Sequence, residues 1–208
     1  MNNIYPIIGM SPGNSYFRDE VVKELLQKVL EKYGKAAVMI ADIPALSTYI
    51  ALGYPENRAR RDKALPQGNA LKNKVRRATQ ELNYSDNQVK IIDWGTEIDT
   101  NSEYQKKYQE VTELYKTNKK FHEAANLATK SALKYSEKQI LDIESASKIA
   151  VHYLLSEFAF MEFAPKYLEA DKVTYIYHKE WSVYESYILG EFDEKKRGYL
   201  GFEIVTTQ

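Results

Sequence analysis

Three short stretches of this sequence carry residue types that could act together chemically. The first is "IIGMSPGNSYF", Ile7 to Phe17, where an apolar run ends at Gly9 and Ser11 and Asn14 follow. A serine hydroxyl at the end of a buried strand is a candidate nucleophile, and a nearby amide is a candidate oxyanion donor. The same residues also suit an ordinary turn and cap, because their side chains compete for nearby backbone groups. Ser15 is read as such a helix cap. No G-x-S-x-G surrounds Ser11, and the stretch fits neither G-x-G-x-x-G nor a P-loop, so hydrolase-elbow and phosphate-cradle readings are weak.

The second stretch is "VHYLLSEFAFMEF". On a helix Tyr153 and Glu157 are four apart and share a face, and Phe160, seven residues after Tyr153, joins them. A glutamate among aromatic and aliphatic neighbours needs a partner or a task, because an unpaired buried carboxylate is costly. Its plain alternative is a buried ion pair or an edge-of-core glutamate whose stem packs. The third stretch, "YIYHKEW", ends a strand with Tyr177 and His178, a pair able to relay protons. His178 is one of three histidines. Neither H-E-x-x-H nor comparable ligand spacing occurs, so no metal site is expected.

A fourth feature is charge. Between Arg58 and Arg77 lie Arg58, Arg60, Arg61, Lys63, Lys72, Lys74, Arg76 and Arg77, against the single acid Asp62. The whole chain balances 29 basic with 29 acidic side chains, so this helical stretch has segregated its charge. A solvated face usually mixes signs in i,i+4 pairs, and this one does not; phosphate-backbone binding is its natural use.

These residues need elements to position them. Tyr5–Met10 reads as a buried strand, "RDEVVKELLQKVLEKYG" as an amphipathic helix with Val21, Leu25, Val29 and Tyr33 on one face and Gly34 past its end, and "KAAVMIAD" as a second buried strand. A long polar helical region follows, with an interruption expected at Pro66 and Gly68. "NQVKIIDWG", "KVTYIYH" and "YLGFEIVTT" supply three more strands. The span from about Asn101 to Leu168 reads as helix with breaks near Thr117–Asn118 and Tyr135–Ser136. This alternation predicts a single α/β domain: a mostly parallel sheet of about five strands with helices on both faces. In such a sheet ligands bind outside the carboxyl ends of the strands, where both Ser11 and Tyr177–His178 would sit.

Composition narrows the classes further. The 208 residues suit one domain, 44% are apolar, and 17 are tyrosine. The absence of cysteine excludes disulfides, thiolate metal sites and a cysteine nucleophile, and fits a reducing compartment. The opening "MNNIYPIIGM" lacks the cationic and long apolar regions of a signal peptide, and no uncharged apolar run approaches membrane-spanning length. A cytoplasmic protein is expected.

Together the four features resemble the cyclodipeptide synthases, a family on a Rossmann-like domain similar to the catalytic domain of class I aminoacyl-tRNA synthetases. The family's G-x-S-x-x-N is matched by Gly9, Ser11 and Asn14, its Tyr and Glu four apart by Tyr153 and Glu157, and its Tyr-His by Tyr177 and His178. That pattern is similar to the subfamily named for Asn, Tyr and His. The resemblance implies that two aminoacyl-tRNAs are joined into a diketopiperazine with no cofactor, and the synthetase signatures H-I-G-H and K-M-S-K-S are absent. It implies Ser11 as nucleophile, Gly9 as clearance for the substrate backbone, and Asn14 or helix-start N–H groups as oxyanion support. Tyr153 and Glu157 would hold the substrate ammonium, Tyr177 would relay protons, and His178 would support the loop. It assigns tRNA binding to the basic helix at Lys72–Arg77 and its upstream basic neighbours, and it implies a monomer.

Ile7 and Phe160, apolar and adjacent to motif positions, are expected to line the side-chain pocket. They favour an aliphatic first residue, with leucine (hence Leu-tRNA) expected. No residue is assigned between about Thr96 and Glu144. Two other classes compete: a non-catalytic RNA-binding module, which would not need Ser11, Glu157 and Tyr177, and a serine-dependent aminoacyl hydrolase, which would not need the basic stretch.

Overall fold

A computed structural model describes residues 3–134, 140 and 142–207. The elements run β1 (Ile4–Met10), α1 (Asp19–Tyr33), β2 (Ala36–Ile40), α2 (Ala45–Ala51), α3 (Glu56–Arg58), α4 (Leu65–Glu81), β3 (Val89–Ile92), α5 (Ser102–Thr117), α6 (Lys119–Lys134), α7 (Ile143–Tyr167), β4 (Lys172–Tyr177), α8 (Ser182–Leu189) and β5 (Leu200–Ile204). The five strands form one sheet in the order β3-β2-β1-β4-β5, and every pairing is parallel. This is the expected α/β architecture. β1 is the central strand, so the chain leaves the middle of the sheet at Met10 and turns immediately into Ser11.

Alternate side chains of the strands feed two cores. Ile8, Val38, Ile40 and Ile176 pack with α1 and α4 on one face. Ile7, Ala37, Met39, Val173 and Tyr175 pack with α5, α6, α7 and α8 on the other. α1 buries Val21, Val22, Leu25, Leu26, Val29 and Leu30, and ends at Gly34 (φ 75°), whose N–H donates to the Leu30 carbonyl. α7 has an aromatic and aliphatic surface buried over most of its 25 residues, as the apolar stretch around Glu157 requires. The break at Thr117–Asn118 is present, with the Asn118 side chain accepting from the Phe121 N–H. The break expected at Tyr135–Ser136 lies outside the described residues.

The interruption expected at Pro66 and Gly68 is not one. α3, a π-helical segment at Ala59–Ala64 and α4 follow each other without a gap from Glu56 to Glu81. Pro66 falls in the first turn of α4, directly after the π segment, where the hydrogen-bond ladder changes register and a missing N–H disrupts least. Gly68 is required by packing instead: a β-carbon there would lie 2.5 Å from Cβ of Asp42, the residue that closes the β2 end. No helix among the described residues is long and apolar enough to cross a membrane.

Candidate active site

Ser11, Pro12, Gly13 and Asn14 form a tight turn closed by the Asn14 N–H donating to the Ser11 carbonyl at 3.2 Å. Proline at the second position and Gly13 at φ 78° in the third are the residues such a turn needs. A β-carbon on Gly13 would lie 2.6 Å from Oε1 of Gln67 and 2.8 Å from the Tyr49 hydroxyl, so α2 and α4 both bear on the turn. Asn14 Oδ1 then accepts from the Tyr16 N–H at 3.0 Å, which leaves its amide nitrogen as the donor. α1 begins only at Asp19, preceded by Arg18 with no side-chain cap. Ser15 is therefore not the helix cap expected of it; it is an exposed turn residue, and the helix-start N–H groups lie further along the chain than its reading assumed.

The other motif residues arrive from α7 and β4. Tyr153 donates its hydroxyl proton to Ser11 Oγ at 3.0 Å, although 142 residues separate them. Among the described residues no imidazole or carboxylate hydrogen-bonds Ser11 Oγ. Glu157, one turn on from Tyr153, is 5% exposed and accepts from the Tyr175 hydroxyl at 3.4 Å. Burial pushes its carboxyl up to about 8, while the Tyr153 and Tyr175 hydroxyls pull the other way. Tyr153 and Tyr175 are themselves raised well above the ordinary tyrosine range, first by burial and then by the nearby Glu157. Tyr177 is pushed up to about 12 by burial, with the Ser11 and Asn14 side chains opposing. These hydroxyls hold their protons at neutral pH and serve as donors.

His178 is not aimed at the serine by any hydrogen bond. Its ring stacks on Tyr16 at 3.9 Å between centroids, and its Nδ1 is buried with no partner among the described residues. Burial, aided by Lys179, depresses it to about 4, so it is neutral at pH 7. Through Tyr16 it braces the Ser11 loop against β4.

Ser11, Tyr153, Glu157, Tyr175 and Tyr177 all line one cavity of about 560 Å³. Its other walls come from α6 (including Ala124, Leu127 and Ala128), from Trp181 and α8, and from Phe192. Two expected pocket residues are not among them. Ile7 and Phe160 are fully buried in the core, and Phe160 packs on Trp94 at 5.4 Å. Phe160 keeps nearly the direction of Tyr153 but lies two turns, about 10 Å, further along α7, past the cavity wall that ends at Glu157 and against Trp94.

Gly9 also has a different neighbour from the one expected. A β-carbon there would lie 1.9 Å from the Tyr175 hydroxyl oxygen, so its clearance admits Tyr175. Tyr175 itself was missed, and a signal for it existed: residues two apart on a strand share a face, so Tyr175 must accompany Tyr177.

The basic stretch divides. Lys72 is buried, with Nζ 2.9 Å from Asp42 and 3.1 Å from Asp93, so its charge is spent inside the fold and is not presented to a polyanion. Lys74 donates to the Phe17 carbonyl, Arg77 pairs with Asp19 and Arg61 with Asp62. Arg58, Arg60 and Arg76 are exposed and form no salt bridge among the described residues, although Arg58 is near enough to Asp62 to help hold its carboxyl down. Lys63 lies over the Tyr54 ring. Among the described residues no group of three or more His, Asp or Glu could hold a metal ion.

Comparison with known proteins identifies the family and the fold. The sequence model described as "Cyclodipeptide synthase" matches residues 5–207. A Bacillus subtilis (strain 168) protein named cyclo(L-leucyl-L-leucyl) synthase is 26% identical over 204 residues, covering 96% of this chain and 81% of that one. A crystal structure of a cyclodipeptide synthase from Bacillus thermoamylovorans superposes with a TM-score of 0.83 at 21% identity, covering 99% of this chain and 90% of the other. The synthase from Candidatus Glomeribacter gigasporarum bound to Phe-tRNAPhe has a TM-score of 0.65 at 15% identity, with 98% and 88% coverage.

Proposed function

Because this chain belongs to the cyclodipeptide synthase family, an enzyme family that forms cyclodipeptides, we propose that it takes its two aminoacyl groups from aminoacyl-tRNAs through a covalent intermediate on Ser11. The observation that carries this reading is the convergence of Ser11, Tyr153 and Glu157 in one cavity, with Tyr153 hydrogen-bonded to the serine and adjacent to the carboxylate. The Glomeribacter structure with bound Phe-tRNAPhe supports the substrate class.

Ser11 Oγ attacks the ester carbonyl of the first aminoacyl-tRNA. The bond to the ribose oxygen breaks, and the serine proton leaves with that oxygen. Since no imidazole or carboxylate among the described residues bonds Ser11 Oγ, the ribose hydroxyl of the terminal adenosine is the proposed shuttle. The ester is already activated, so neither ATP nor a metal is required. The Asn14 amide is the proposed donor to the tetrahedral oxyanion.

Glu157 binds the α-ammonium of the tethered residue. Burial raises that carboxyl to about 8 in the empty cavity; the incoming ammonium supplies the countercharge that favours its ionised form, and the ionised carboxylate then takes the amine proton. The freed amine attacks the carbonyl of the second aminoacyl-tRNA, expelling the second ribose oxygen and leaving a dipeptide on Ser11. The terminal amine of the dipeptide then attacks the Ser11 ester. That closes the ring, and Ser11 Oγ recovers a proton by way of Tyr177. Leucine is the proposed first residue: the cavity walls from α6 and α8 are largely apolar, and the Bacillus subtilis relative is named for cyclo(L-leucyl-L-leucyl). Exposed Arg58, Arg60 and Arg76 are the proposed contacts to the tRNA backbone, with Arg61, Lys63, Lys74 and Arg77 beside them.

Incubation with Leu-tRNA, followed by mass spectrometry for cyclo(Leu-Leu), tests the reading. Diketopiperazine is expected with Leu-tRNA and absent with free leucine. No diketopiperazine from any charged tRNA pool would overturn it.

A further inference from the structure

Outside the catalytic constellation the most heavily satisfied side chain among the described residues is Arg197, in the segment between α8 and β5. It is 5% exposed. Its Nε donates to Glu162 Oε1 at 2.5 Å and its Nη2 to Asp193 Oδ2 at 2.7 Å. Its Nη1 donates to Asp193 Oδ1 and to the carbonyls of Tyr187 and Lys195, at 3.0, 2.9 and 2.9 Å. The guanidinium also lies 3.7 Å over the Tyr187 ring. Glu162 accepts in addition from the Tyr187 hydroxyl at 2.8 Å and from the Tyr199 hydroxyl. Removing one partner of a buried ion pair is costly, so such a cluster holds its loop in one geometry.

What the loop carries is Phe192. The chain reverses at Gly190 (φ 78°), where a β-carbon would lie 2.7 Å from the Lys195 carbonyl carbon, and again at Glu194 (φ 61°). Between these two points Phe192 lines the catalytic cavity, rests on Phe121 at 5.1 Å and has its carbonyl held by the Asn118 amide. The anchor at the other end, Glu162, sits five residues after Glu157 on α7. One helix thus carries both the carboxylate facing the substrate and the carboxylate facing the loop.

We infer that Arg197, clamped by Glu162 and Asp193, is a positioning residue that fixes Phe192 in the cavity wall and so sets which amino-acid side chain the synthase accepts. The inference rests on the synthase reading above. Arg197 is not among the residues lining the cavity, whereas Phe192 is, so it acts through the loop.

The test offers wild type and the variants an equimolar mixture of Leu-, Phe- and Met-tRNA and reads the ratio of diketopiperazines, together with the rate of covalent loading of Ser11. Phe192→Ala is expected to change the product ratio by about fivefold or more, since a cavity wall discriminates side chains by this order. Glu162→Gln is expected to shift the ratio in the same direction by about twofold to threefold, with Ser11 loading unchanged. Asp193→Asn, close in shape and nearer the surface, is the variant that keeps the test available if Glu162→Gln does not fold. The double variant Phe192→Ala/Asp193→Asn should show no shift beyond Phe192→Ala alone, because both changes act on one wall. A folded Glu162→Gln or Asp193→Asn with the wild-type ratio overturns the inference, as does additivity in the double variant or a wild-type ratio from Phe192→Ala. A wild-type protein that yields no diketopiperazine overturns the synthase reading and this inference with it.

Discussion

Gly9 and Tyr175 occupy one space between them. They stand on neighbouring strands, and a β-carbon on Gly9 would fall 1.9 Å from the Tyr175 hydroxyl oxygen. That hydroxyl reaches Glu157 because position 9 is empty. Gly9→Ala is therefore expected to displace the Tyr175 ring, remove its bond to Glu157 and lower turnover by on the order of 100-fold. Adding Tyr175→Val should restore the melting temperature without restoring the rate. Restored turnover would show that the hydroxyl is dispensable.

Tyr175→Phe keeps the packing and deletes the donor. The donor favours the ionised carboxylate, so its loss should raise Glu157 further above about 8. The limb of the pH–rate profile that requires the unprotonated carboxylate is expected to move upward by about half a unit to one unit. Single-turnover formation of the dipeptidyl enzyme across pH measures it. An unmoved profile would mean that Tyr175 does not tune Glu157.

Glu157 also makes the empty fold sensitive to pH. Its carboxyl is raised from 4.5 to about 8, so between these values the folded state binds more protons than the unfolded one. Stability contributed by the neutral form is then present at low pH and is lost as pH rises through that window. Glu157→Gln should accordingly be more stable than wild type at pH 8.5 by on the order of 1 kcal/mol or more, with the difference vanishing near pH 4.5. Thermal melts without substrate decide this.

Ser11→Ala is expected to abolish covalent capture of radiolabelled amino acid from Leu-tRNA. Tyr153→Phe should still be labelled, at a rate lower by about 10- to 100-fold, because the hydroxyl that bonds Ser11 Oγ is gone and the nucleophile remains. Label retained by Ser11→Ala would remove the serine from the mechanism.

The basic stretch should give two different phenotypes. Charge reversal at Arg58, Arg60 and Arg76 is expected to weaken use of charged tRNA, with a shallower salt dependence and an unchanged melting temperature. Lys72→Met is expected to lower stability by about 3 kcal/mol, because the Asp42 carboxylate is left buried without its cation. Lys72→Met with wild-type stability would contradict the buried pairing.

The sheet, its direction and the motif residues were legible because their signals are local: unbroken apolar runs for doubly covered strands, and i,i+4 spacing for Tyr153 and Glu157. What remained hidden depends on how elements meet. Lys72 looks like its basic neighbours in sequence, and only the approach of the β2 and β3 ends identifies it as an internal countercharge. Ile7 and Phe160 were read from adjacency to motif residues, yet one position along a strand, or two turns along a helix, exchanges cavity for core. The cavity wall from α6 and Phe192 lies in segments with no motif, so nothing local announced it. Pro66 shows the converse: a signal for a break that a π turn absorbs.

The turn at Ser11 has a consequence for how such a chain can change over generations. Gly13 is boxed in by Gln67 from α4 and Tyr49 from α2. The ends of those two side chains can swing away, but the left-handed backbone at position 13 cannot be relieved by either of them. In lineages descended from this sequence residue 13 should therefore stay glycine while residues 49 and 67 change.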